Sequence, residues 1–347
     1  MYPVKAYAAK SATEALARFE FSRRALGPKD VLIDIKFCGI CHSDIHQVRN
    51  EWGGSTYPMV PGHEIVGVVA EVGKGVKHFK VGDKAGVGCM VDACRECPDC
   101  KDGHEQFCGH TVFTYNSLEK DGKTVTQGGY STRIVVDEDF VLKIPQKMPL
   151  DAAAPLLCAG ITTYSPLHHW KAGPGKSIGV IGLGGLGHMA VKIAKAFGAQ
   201  VTVLSRSRNK EADARRLGAD HYVSTGEPKA FEKLKHTFDL ILCTVSSEID
   251  WNQYLGTLKR DGSMVLLGVP PKAVPVEAGS LIFGRHNLAG SLIGGIKETQ
   301  EMLDFCGKHN IVSEIELISI NKVNEAYERV IKGDVKFRFV IDMASLK

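Results

Sequence analysis

The residues most able to do chemistry are cysteines and histidines in closely spaced groups. Cys38-Gly-Ile-Cys41-His42-Ser43-Asp44 begins as C-x-x-C-H. That pattern reads as a c-type haem attachment site, a cytosolic dithiol pair or half of a metal site, and alone it leaves all three open. Downstream lies His63-Glu64, which is not the H-E-x-x-H of zinc proteases because position 67 is Gly. Further on, Cys158 stands in PLLCAG. A second group, Cys94, Cys97, Cys100 and Cys108, has the spacing C-x2-C-x2-C-x7-C. Four thiolates this close point to a structural zinc. The last spacing, and a Cys-Pro pair misplaced at Cys97-Pro98, set the run apart from the ferredoxin iron–sulfur pattern.

A third chemistry is written in glycine. Gly182-Leu183-Gly184-Gly185-Leu186-Gly187 satisfies G-x-G-x-x-G between a strand-like KSIGVIG and a helix-like run, which is the context a dinucleotide fingerprint needs. Gly182 suits a tight turn, Gly184 a close approach to a pyrophosphate, and Gly187 close helix–sheet packing. About 20 residues later an acid ordinarily binds the ribose hydroxyls of NAD. Here Ser205, Arg206 and Ser207 follow QVTVL, and Lys210 comes next. A guanidinium, an ammonium and two hydroxyls suit a 2′-phosphate, so NADP(H) is the expected cofactor.

These groups need elements to hold them. VLIDIKF alternates Ile33, Ile35 and Phe37 against Asp34 and Lys36, a half-buried strand. EIVGVVAEVG, KVGDKAGVG and YSTRIVV are further short β-like runs, so the first part reads as a small barrel or sandwich. After about Pro155 the pattern changes to strands alternating with helices. KSIGVIG, QVTVLS, FDLILCTV and SMVLLGV are the strands. Leu186, Ala190, Ile193, Ala194 and Phe197 line one helix face, and RNKEADARRLG is a second helix. This predicts a parallel, doubly wound sheet. The tail adds helices KETQEMLDFCG and NKVNEAYERVIKG, expected to stop at Gly307 and Gly333, and a strand FRFVIDM. Asn116 to Gly129 reads as an exposed hairpin loop.

At 347 residues the chain has the length of about two domains. The 43 basic and 39 acidic residues are interspersed, which argues against a nucleic-acid surface. No apolar run approaches the ~20 residues of a membrane span. MYPVKAYAAKSATEAL lacks the apolar core of a signal peptide, so a cytoplasmic location is expected. Disulfides are rare there, which leaves the ten cysteines to metal or core roles.

CGICHSD, GHE, the four-cysteine run, PLLCAGITTYSPL and GLGGLG in this order resemble the zinc-dependent medium-chain alcohol dehydrogenases, more narrowly the cinnamyl alcohol dehydrogenase group of broad aldehyde reductases. The resemblance spans the chain. It implies a GroES-like β-rich catalytic domain of residues 1–157 and 296–347, with a zinc lobe at about 89–112. A Rossmann NADP-binding domain would span 158–295. It implies two zinc ions per chain. Cys41, His63 and Cys158 would hold the catalytic one, the ligand set known for alcohol dehydrogenase and carried over here from the family. Cys94, Cys97, Cys100 and Cys108 would hold the structural one. Glu64 would sit behind the catalytic metal and could ligate it transiently, and Asp44 would orient His63. Ser43 would hydrogen-bond the substrate oxygen, and His46 would pass the proton to solvent through the nicotinamide ribose. His42 would lie near the cofactor phosphates. Trp52, Cys89 and Phe113 would line the substrate pocket, while Cys38, Cys243 and Cys306 would be core residues. The implied activity is NADP(H)-dependent interconversion of primary alcohols with aromatic or medium-chain aldehydes, in a homodimer acting on small molecules. The alternatives are a polyol or other secondary-alcohol dehydrogenase, or a nucleotide-binding protein without that activity.

Overall fold

A computed structural model describes residues 1–346, which form two compact units, Met1–Cys158 with Gly294–Lys347 and Ala159–Ile293. The first unit is built on a seven-stranded sheet whose main path runs Ile315–Ser319, Arg338–Asp342, Asp30–Gly39, Ile65–Val72, Lys84–Val87, Leu142–Lys143. Arg133–Asp137 also pairs with Asp30–Gly39. Asp30–Gly39 is the strand on which the others register. Its expected alternation holds at Ile33 and Ile35, which are buried, and at Lys36, which is exposed. Cys38 lies opposite Ile65 on one side, and Gly39 lies opposite Val340 on the other. The end of this strand therefore meets both the segment before Ile65 and the final strand of the chain.

The second unit holds a six-stranded parallel sheet in the order His221–Ser224, Gln200–Ser205, Ser177–Ile181, Phe238–Cys243, Leu258–Leu266, Asn287–Gly290. In chain order this is 3-2-1-4-5-6, the Rossmann arrangement, which leaves the carboxyl ends of the first strands open for a ligand. Ile181, Leu204, Phe238, Ile241, Trp251 and Leu255 pack its core.

The expected helix stop at Gly307 is corrected. The helix runs Ile296–His309 and ends at Asn310, which takes the left-handed conformation with φ 55°. Gly307 instead marks a close approach: a Cβ there would meet Pro145 at 3.0 Å. Gly333 does end its helix, with φ 69°. No helix among the described residues is long and apolar enough to cross a membrane.

Candidate active site and metal centres

Cys41 caps the short helix His42–Val48, which starts two residues after the Asp30–Gly39 strand ends. The Gly39 N–H donates to the Glu64 carbonyl (3.0 Å), and the Ile40 N–H to the Phe339 carbonyl (2.9 Å). These bonds carry Cys41 to the His63-Glu64 segment. Cys158 arrives separately, at the end of the 3-10 helix Ala154–Leu157. One ligand atom each from Cys41, His63, Glu64 and Cys158 lies within 4.8 Å of the others, and all four residues are buried. The Cys41 and Cys158 sulfurs are 3.9 Å apart. A tetrahedral zinc with bonds of ~2.3 Å sets two sulfurs about 3.8 Å apart, so the donor set has the right size.

The polar accounting agrees. His63 Nε2 and Glu64 Oε2 are buried with no hydrogen-bond partner. Buried polar atoms are rarely left so, and here an ion is the fitting partner. The hydrogen bond between the two thiols holds Cys41 well below its ordinary value and Cys158 well above. Burial pushes the Glu64 carboxyl up to about 7 against the opposing charge of Arg338, its partner in a buried ion pair.

Around the cluster, Asp44 is fully buried. It accepts the backbone N–H groups of Cys41 (2.9 Å) and Gly62 (3.1 Å) and the Tyr130 hydroxyl (3.3 Å), and it lies 3.3 Å from His63 Nδ1. That contact leaves Nε2 as the free nitrogen of His63. Tyr115 stacks on the His63 ring at 5.8 Å. Ser43 Oγ is 3.6 Å from Cys41 Sγ. His46 lies one turn from Ser43 on the same helix, so the two share a face. Its Nδ1 is 2.5 Å from Glu51 Oε2, and its ring stacks on Trp52 at 4.8 Å. His42 is exposed, with its ring 6.2 Å from that of His46. Trp52 and Phe113 are largely exposed. Cys89 is half-buried and donates toward the Leu157 carbonyl at 3.9 Å. Cys38, Cys243 and Cys306 are buried thiols.

The four-cysteine group closes in the same way. Ligand atoms of Cys94, Cys97, Cys100 and Cys108 lie within 4.8 Å of one another, and the Cys94 and Cys100 sulfurs are 3.8 Å apart. Backbone N–H groups point at the sulfurs: Glu96 and Cys97 at Cys94, Cys100 at Cys97, and His110 at Cys108, all at 3.3–3.4 Å. The Glu96 and Cys97 donors hold the Cys94 thiol down at about 6, which favours the thiolate a metal takes. Burial pushes Cys100 up to about 12. The lobe has the short strand pair Met90–Asp92 and Val112–Phe113 and two single-turn helices, Pro98–Lys101 and Glu105–Phe107, so a bound ion would supply the crosslink that its small core does not.

The glycine motif is shaped as its spacing requires. Gly182 has φ 87°, and a Cβ on Gly187 would lie 2.2 Å from the Gly182 carbonyl oxygen. A Cβ on Gly184 would meet nothing within 4 Å, so the space there is open to a ligand. Lys210 Nζ donates to the Leu183 carbonyl at 2.9 Å, tying the basic segment to the motif. Arg208 pairs with Glu211 and Glu227. Arg206 is exposed and makes no ion pair among the described residues.

Comparison with known proteins gives the same answer. Residues 27–146 match the family described as "Alcohol dehydrogenase GroES-like domain", and residues 185–308 match "Zinc-binding dehydrogenase". The chain is 61% identical to "NADP-dependent alcohol dehydrogenase C 1" of Mycolicibacterium smegmatis, over 100% of both chains. The chain belongs to the zinc-binding alcohol dehydrogenase family. It is also 52% identical to "Aldehyde reductase YahK" of Escherichia coli over 99% of each chain. Among solved structures it resembles a cinnamyl alcohol dehydrogenase of Sorghum bicolor, with TM-score 0.97, 46% identity and 99% coverage of each chain.

Sequence reasoning missed several residues around the site of this zinc-binding dehydrogenase. Arg338 is the partner of Glu64 across 274 positions, and its only signal was one cation inside the apolar FRFVID. Glu51 follows His46 by one helical turn and a bend, a spacing that could have suggested the contact. Tyr115, Tyr130 and Tyr327 left no signal. Tyr327 donates to the Tyr130 hydroxyl at 3.4 Å from a helix near the end of the chain.

Proposed function

We propose that this protein is an NADP(H)-dependent alcohol dehydrogenase and aldehyde reductase that interconverts primary alcohols with aromatic or medium-chain aldehydes. The observation that carries the reading is the closed cluster of Cys41, His63, Glu64 and Cys158, with two buried donor atoms lacking partners. Cys41, His63 and Cys158 hold the catalytic zinc, with Glu64 behind it, and the four-cysteine lobe holds the structural one. When bound, the catalytic zinc polarises the carbonyl oxygen of the substrate, and NADPH supplies hydride to its carbon. Arg206, Ser205, Ser207 and Lys210 receive the 2′-phosphate, and the glycine motif and its helix receive the pyrophosphate.

The proton is the work of the chain itself. Ser43 Oγ–H donates to the substrate oxygen as the carbon takes hydride, and His46 restores that proton. Glu51 at His46 Nδ1 holds the ring in place. His46 is partly exposed, so solvent reprotonates it. Asp44 acts only through His63. Trp52 and Phe113 present apolar rings and Cys89 a small side chain to the substrate, which favours an aromatic or aliphatic body over a polyol. His42 adds a donor beside the cofactor.

The reading includes a homodimer, supported by the family. It includes a cytoplasmic location, supported by ten free cysteines. The experiment is cinnamaldehyde or benzaldehyde reduction with NADPH and with NADH, before and after chelation, alongside zinc analysis. Two zincs per chain and fast, chelator-sensitive turnover favouring NADPH are expected. A preference for NADH would remove the 2′-phosphate assignment. No turnover in protein holding two zincs would remove the substrate class.

A further inference from the structure

The Ser205–Ser207 segment leaves the carboxyl end of its strand, and the neighbouring strand His221–Ser224 runs parallel beside it, with Ser224 opposite Ser205. Three successive carbonyls of the segment are each taken by this neighbour. The Ser205 carbonyl accepts from the Thr225 N–H (2.7 Å) and its hydroxyl (3.3 Å). The Arg206 carbonyl accepts from the Ser224 hydroxyl (3.3 Å), and the Ser207 carbonyl from the Tyr222 hydroxyl (2.5 Å). Tyr222 and Ser224 are buried and lie two residues apart, so they serve the segment from one side of their strand. The next residue, Gly226, touches it directly, since a Cβ there would lie 2.7 Å from the Arg206 carbonyl oxygen.

A peptide is planar and trans, so holding a carbonyl also sets the following N–H, on the opposite side. Three held carbonyls therefore fix the three peptides that carry the Ser205, Arg206 and Ser207 side chains. Among the described residues Arg206 is the guanidinium of this segment that no carboxylate neutralises, because Glu211 and Glu227 engage Arg208 instead.

We propose that Tyr222 and Ser224 are positioning residues for cofactor choice, their hydroxyls holding the Ser207 and Arg206 carbonyls in the orientation that lets the segment receive a 2′-phosphate. This rests on the NADP(H) reading above. Neither residue touches the cofactor; both act through the carbonyls they hold.

The test is calorimetric binding of 2′,5′-ADP and of 5′-AMP to the zinc-loaded wild type, Tyr222→Phe and Ser224→Ala, with NADPH and NADH kinetics on the same samples. Tyr222→Phe keeps the ring and loses one hydrogen bond, which is worth roughly a 2- to 12-fold change. The expected result is 2′,5′-ADP affinity down about fivefold, 5′-AMP affinity unchanged, KM for NADPH up by the same factor and kcat unchanged. Ser224→Ala, with the longer bond, shifts the same readouts by about twofold. Equal weakening of both ligands, or no change in either variant, overturns the proposal. A wild type that binds 5′-AMP as tightly as 2′,5′-ADP overturns the NADP(H) reading itself, and the role of Tyr222 and Ser224 falls with it.

Discussion

Arg338→Met tests how the buried charge behind the cysteine–histidine cluster is held. Glu64 is fully buried, its Oε1 accepts from the Arg338 guanidinium, and its Oε2 has no partner. Its carboxyl is pushed up to about 7 even with Arg338 beside it, so burial already outweighs the attraction of the pair. Removing the guanidinium takes away the only hydrogen bond the Glu64 carboxylate makes among the described residues. Breaking a buried pair by removing one partner costs up to about 3–5 kcal/mol, and with Glu64 already at about 7 part of that cost is taken as protonation of the remaining carboxylate. Met keeps the apolar stem of the side chain, so little of that cost is lost apolar packing. The assay is urea denaturation of the zinc-loaded protein followed by circular dichroism, for wild type, Arg338→Met, Glu64→Gln and the double variant. The single Arg338→Met should be least stable, and the double should recover about 2 kcal/mol or more. A loss below about 1 kcal/mol, or singles that simply add in the double, would mean that Arg338 does not hold the Glu64 charge.

Three further outcomes are expected. Gly39→Ala should lower both stability and zinc content, because its Cβ would lie 1.9 Å from Glu64 Oε2; normal zinc stoichiometry by elemental analysis would count against this. Gly187→Ala should destabilise the fold by packing against the Gly182 carbonyl, whereas Gly184→Ala should leave thermal unfolding nearly unchanged and weaken only cofactor binding, measured by titration. Burial raises Asp239, but Lys259 at 2.7 Å and the Ser177 N–H at 2.8 Å outweigh it and hold the carboxyl below its ordinary value. Its stabilisation is then present above the unfolded value near ~3.9 and lost as pH falls through the lower folded one. Asp239→Asn should flatten the fall in urea midpoint across that window, and an unchanged slope would be the contrary result.

What the sequence determined by itself is what short spacing can encode. The four cysteines lie within 15 positions, and GLGGLG sits between one strand and one helix. Local backbone geometry assembles both: N–H groups two or three residues away bond the sulfurs, and Gly182 and Gly187 meet across a single turn. The parallel sheet was legible for the same reason, since each strand announces itself by apolar runs and glycine punctuation. The short edge strands His221–Ser224 and Asn287–Gly290 were not, because four residues carry too little periodicity. Gly307 misled because a glycine that ends a helix and one that admits a neighbouring proline look alike in sequence.

The tertiary structure decided the rest. In the sequence, only family resemblance links Cys41, His63 and Cys158. In the protein, the strand Asp30–Gly39 brings Cys41 to His63 by pairing with Ile65–Val72 and to Arg338 by pairing with Arg338–Asp342, and Cys158 comes in from the 3-10 helix Ala154–Leu157. Arg338 could not be assigned from its own stretch, because an arginine between two phenylalanines gains meaning only from the buried acid it faces. The Tyr222, Ser224 and Thr225 hydroxyls likewise acquire partners only through the parallel register of two strands. Hydrogen bonds and ion pairs act over a few ångströms, and chain connectivity sets that proximity for near neighbours alone. For distant residues the packed sheet sets it.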